Sequence, residues 1–264
     1  MAAMDDAERE TKLRATFPML DDWQQRGSTA FRPEQGSELE VDDCDWPSIP
    51  ISEIAHLGLQ VATDHLMAVR VHIEARRLFA FSHLTLCRSA LLGATQAVWV
   101  LAPDDRRERL KRSRTVAAYA QRKHLQYLRG LQSIAPQPDQ NTDTVAALVD
   151  NRVNQLHQKR QAAGERSELN NTDMIQQAVT AVFDAAHAAE AVVVWQSGSG
   201  AAHGFVWPML GTADTVQSSA ADQDGIAEFQ VGGSLSRMSN AYFAAFHTAD
   251  RGWKLLRRRG TAPQ

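Results

Sequence analysis

The chain has 264 residues, 44% of them hydrophobic, which suits one large domain or two small ones and is ordinary for a globular protein. A formal net charge of −3 excludes a global electrostatic pull toward nucleic acid or an anionic membrane. Two cysteines, Cys44 and Cys87, in segments of different character, exclude a disulfide framework and point to a reducing, cytoplasmic setting.

The N-terminus MAAMDDAERE is acidic and has no apolar core, so it does not read as a secretory signal. Residues 1–50 hold twelve acidic and five basic residues, with Phe17, Trp23, Phe31 and Trp46 scattered without period. They read as an acidic, loosely ordered arm, or as an arm that docks on a basic surface of its own domain or of a partner. Pro47 and Pro50 mark the boundary with the folded part, residues 51–264, which reads as a single helical-bundle domain.

Ile51, Ala55, Leu59, Ala62, Leu66, Val69 and Ile73 recur at steps of three and four, one face of a helix, and Ile54, Leu57 and Val61 add a second stripe. Residues 79–102, FAFSHLTLCRSALLGATQAVWVLA, then form a helix apolar nearly all round with Arg88 in its middle. Such a rod must be surrounded by helices or by lipid. Because an arginine near the centre of a lone span is costly, the expectation is bundle core and no membrane. Pro103 stops the rod, and Asp104 and Asp105 suit the first turn of the next helix.

That helix carries nine basic and three acidic residues over 104–130. It reads either as an outer helix whose arginines pair with carboxylates or as a surface for a nucleic-acid or protein partner; a homodimer is a further alternative. A loop at 134–142, a polar helix at 143–162 and the loop GERSELNN follow. Asp173 and Gln176 resemble a capping box, and Ile175, Val179, Val182, Ala186, Ala189 and Val193 mark a core-facing helix. Its period continues into 192–210, where Gly198 and Gly200 let another backbone approach; no phosphate-loop or GxSxG pattern is complete there. Residues 212–231 carry a hairpin signal at Asp224-Gly225, and a last helix spans 234–258. The expected fold is mostly α, a bundle of about seven helices with one small β-hairpin.

Two [DE]xxH pairs, Glu53/His56 and Asp184/His187, have the form that holds di-iron centres in bundles, but about one is expected from composition alone, so no metal or other cofactor is expected. Arg76 and Arg77 with His83, and Arg152 with His157, fit an Arg-x(4–6)-His spacing. A cation for a scissile phosphate and a histidine for proton transfer is the chemistry of a metal-independent RNase. His203, beside glycines, is a third catalytic candidate. Arg88 with Trp207 is the candidate site for an anionic ligand.

The segment CRSALLGATQAVWVLAPDDRRERLKR (87–112), followed downstream by SGAAHGFVW (199–207), resembles a group of uncharacterised, mostly actinobacterial and phage-encoded, all-helical proteins of broadly HEPN-like plan. The likeness covers roughly residues 50–258. It implies a helical module that binds a protein or nucleic-acid partner. The Arg-Asn-xxx-His form of active HEPN nucleases is missing, since Gln196 and Ser197 stand where an arginine is needed ahead of His203.

Overall fold

The computed structural model describes residues 5–134, 137, 139–210, 212 and 214–263. Residues 135, 136 and 138 of the expected loop, and residue 213 at the head of the hairpin segment, lie outside the described residues. In chain order the elements are α1 (Asp6–Arg14), α2 (Phe17–Gly27), α3 (Glu38–Asp43), α4 (Ile51–Glu74), α5 (Ser82–Leu101), α6 (Arg106–Ile134), α7 (Gln140–Ala162), α8 (Asn171–Val182), α9 (Ala185–Ala202), β1 (Thr215–Gln217), β2 (Phe229–Val231) and α10 (Leu235–Gly260). The fold is mostly α with one small hairpin, as the periodicity predicts. Among the described residues, seven helices follow position 51.

The apolar rod, α5, is the centre. Its length and hydropathy would also suit a membrane span, yet α4, α8, α9 and α10 pack around it. Cys87, Leu91, Ala94, Val98 and Leu101 are wholly buried. The tightest crossing is with α4, where a Cβ on Gly93 would lie 2.5 Å from the Gly58 carbonyl oxygen. Only bare backbone fits there.

Residues 5–50 are not a loose arm. They form α1, α2 and α3, and they bury Leu13, Leu20, Trp23 and Leu39 in the common core. Trp23 stacks on Phe246 of α10 at 5.0 Å, and Thr16 Oγ1 shares a hydrogen bond of 2.6 Å with the Tyr242 hydroxyl. α1 and α3 are short, while α2 is amphipathic and buries Phe17, Leu20 and Trp23. Their order comes from the ready-made surfaces of α4 and α10 and from ion pairs described below.

The expected continuous helix from 173 to about 202 is two helices. Phe183 is extended (φ −127°, ψ 161°), and Asp184 caps α9 by accepting from the His187 N–H at 3.0 Å. The cap of α8 is Asn170, not Asp173. The break resets the helical phase, so Ala188, Ala191, Val194 and Trp195 are buried while Ala186, Ala189 and Val193 face out. In α4 the second stripe also differs: Ile54 is buried, but Leu57 and Val61 are exposed.

α6 and α7 form a helical pair with a small apolar cluster of Leu125, Leu128, Ala146 and Val149, separate from the main core. Asp105 opens α6, its carboxylate accepting from the Arg107 N–H at 3.1 Å. The hairpin falls in the expected stretch, with β1 antiparallel to β2 in the register Thr215↔Val231.

Candidate functional site

The arginines of the interior share one pattern. Arg109 pairs with Asp42 at 2.8 Å and with Glu38 at 2.9 Å. Arg114 pairs with Asp45 and Glu165, and Arg259 with Glu38 and Asp104. Arg88, half-buried on α5, departs from it: among the described residues no carboxylate pairs with it. Its guanidinium lies over the Trp195 ring at 4.3 Å, and its Nε donates to Ser199 Oγ at 2.8 Å. Burial lowers its pKa from the ordinary value, the direction expected for a desolvated cation without a counter-ion.

Local sequence explains this placement. Trp195, Ser199 and His203 recur every four residues, so they form one stripe along α9 and its end. Gly198 lets that stripe press against α5, since a Cβ there would lie 2.6 Å from Arg88 Cβ. His203 is the C-terminal cap, exposed, with its ring 5.8 Å from that of Phe205. Gly204 follows with φ +74°, and the Phe205 N–H returns to the Gly200 carbonyl at 2.9 Å, which closes a Schellman-type end. The chain thereby turns back and seats Trp207 against Gly200, where a Cβ would collide with the indole. Trp207 and Phe205 remain 50% and 54% exposed. The arrangement offers a fixed cation, a hydroxyl, an imidazole about one helical turn on, and two open aromatic faces.

The other candidates do not converge. Arg152 and His157 both lie on α7, five residues and therefore about 140° apart around the axis. Arg152 is half-buried and His157 exposed. α7 packs against α6 rather than α9, so neither joins His203. Arg76 and Arg77 face solvent, whereas His83 is buried, bonded to the Phe79 backbone and 3.1 Å from His72 Nδ1. His56 is buried against Phe31, in the segment after α2, and Trp253 of α10, and does not converge with other ligand groups among the described residues. Asp184 and His187 form a helix cap with a side-chain contact of 2.7 Å. Among the described residues no group of three His, Cys, Asp or Glu side chains converges as a metal site would require.

The basic helix at 104–130 is largely neutralised. Seven of its nine cations form ion pairs. Asp42 and Glu38 of α3, with Asp45 just after it, supply part of the opposite charge, so the acidic segment docks on the basic surface of its own chain. Ser199 and Trp195 were not singled out in the sequence. The signal that could have found them is their spacing of four ahead of His203.

Comparison of the chain with protein-family models, with curated proteins and with solved structures found no match.

Proposed function

We propose that the protein is a HEPN-like helical module that binds nucleic acid by gripping a phosphate at Arg88, Ser199 and His203. The observation that supports this most is that Arg88 has no carboxylate partner among the described residues, whereas the buried Arg109, Arg114 and Arg259 each have one. A half-buried cation of this kind is stabilised by an anion from outside. Its Nη atoms, which have no partner among the described residues, suit two oxygens of a phosphate in bidentate fashion. The Ser199 hydroxyl accepts from Arg88 and can donate its own proton to the same group. Trp207 and Phe205 offer faces on which a base can stack.

The reading is binding rather than cleavage. Metal-independent phosphodiester cleavage needs a base and an acid on opposite sides of the phosphate, and His203 is the one imidazole on this stripe. The test is tryptophan fluorescence during titration with a single-stranded RNA oligonucleotide, in buffer containing a metal chelator. Arg88→Met is expected to weaken binding about tenfold or more, and Arg88→Lys less, since the ammonium loses the bidentate geometry. Unchanged affinity in Arg88→Met would refute the site. RNA cleavage in the same buffer that is lost in His203→Ala would replace the binding reading with the RNase one.

A further inference from the structure

A groove whose lining does not include Arg88 lies between α9 and α10. It is a groove of ≈ 670 Å³, within the range of small-molecule sites. On α10 the lining residues recur at i, i+3, i+4 and i+7, ending in Phe243, Ala244 and His247, and on α9 they include Glu190 and Ala191. Phe183 enters from the break between α8 and α9, and the corner between α1 and α2 closes one side. The walls are therefore apolar and aromatic, with ionisable groups around the rim.

The rim charges decide the ligand. Lys12 is already paired with Glu8 at 2.9 Å, and His187 with Asp184 at 2.7 Å. His247 stacks with Phe243 at 6.0 Å, and its pKa is lowered, chiefly by burial, so near neutral pH it presents a neutral imidazole that can accept a hydrogen bond. That leaves the Glu190 carboxylate, which has no partner among the described residues. An uncompensated carboxylate in a groove that phenyl rings also line is complementary to a cation, through charge and through the ring faces. The groove of ≈ 750 Å³ beside α3 and the end of α10 carries the opposite excess, with Arg106, Arg109, Arg257 and Arg258 lining it against Glu38 and Asp42.

We infer that the groove between α9 and α10 binds an organic ammonium: a protonated amine held by Glu190, with an apolar body lying against Phe183 and Phe243. The experiment is calorimetric titration of the whole chain near neutral pH with phenethylamine, with 2-phenylethanol as its neutral analogue and with 3-phenylpropanoate as the anionic one. The amine is expected to bind about tenfold tighter than the alcohol, and the carboxylate weakest. Glu190→Gln is expected to bring the amine to the level of the alcohol while leaving the alcohol unchanged. Absence of amine binding, a preference for the carboxylate, or an amine preference that survives Glu190→Gln would overturn the inference.

Discussion

Gly198 couples the packing of the bundle to the candidate phosphate site, so Gly198→Ala probes both. The new methyl would stand 2.6 Å from Arg88 Cβ and 3.0 Å from the Leu84 carbonyl oxygen. Carbon atoms need about 3.5–4.0 Å, so α9 has to move away from α5 by about 1 Å. That displacement carries the Arg88–Ser199 hydrogen bond from 2.8 Å beyond useful length. Overpacking costs about 1–3 kcal/mol and the lost charged hydrogen bond adds to it. Replacing glycine within a helix returns about 1 kcal/mol. The net expectation is a destabilisation of about 1–3 kcal/mol, a fall in Tm of about 3–10 °C for a chain of this size, and RNA affinity lowered with it. Gly130→Ala is the matched control: this glycine is exposed on α6 with nothing within 4 Å of the added carbon, so the same substitution should stabilise by about 1 kcal/mol. Urea denaturation and the fluorescence titration read both quantities. If Gly198→Ala raises stability as Gly130→Ala does and keeps full affinity, the close contact at Arg88 is wrong.

Three further outcomes are expected. Asp42→Ala removes the buried carboxylate that accepts from Arg109 Nε and Arg106 Nε, each at 2.8 Å, and leaves Arg109 with Glu38, so it should cost about 1.5–3 kcal/mol in urea denaturation; a loss within experimental error would mean that α3 is not anchored by these pairs. Burial lowers the pKa of His83 and His56, so the folded chain holds them neutral while the unfolded chain takes up protons around the ordinary value of 6.5. The unfolded state then binds more protons, so stability should decline as pH falls below that value, above the range where carboxylates titrate. His83→Gln should flatten the decline, and a flat profile in the parent chain would contradict the burial. Cys87 is wholly buried with its pKa raised to about 12, whereas Cys44 is exposed. A disulfide reagent should therefore titrate one thiol in the native protein, none in Cys44→Ser, and the second only on unfolding.

Helix period in the sequence was sufficient for α4, α5 and α10, because each is long enough for one face to declare itself and each meets the core along its length; α6 and α7 were legible as a basic and a polar helix between loop signals. The hairpin was legible from its turn residues, and Arg88 and Trp207 stood out by composition alone. What tertiary structure decided was partnership. The arm reads as unordered because α1 and α3 are short and charged and the period of α2 spans only three turns, and they are held by α4 and by Phe246, Tyr242 and Arg109, which lie far along the chain. The helix break at Phe183 was hidden because the apolar residues on either side continue the same count of three and four. Whether an arginine is neutralised or left wanting an anion depends on which carboxylate the fold brings within about 4 Å. Ser199, 111 residues from Arg88, met it without one.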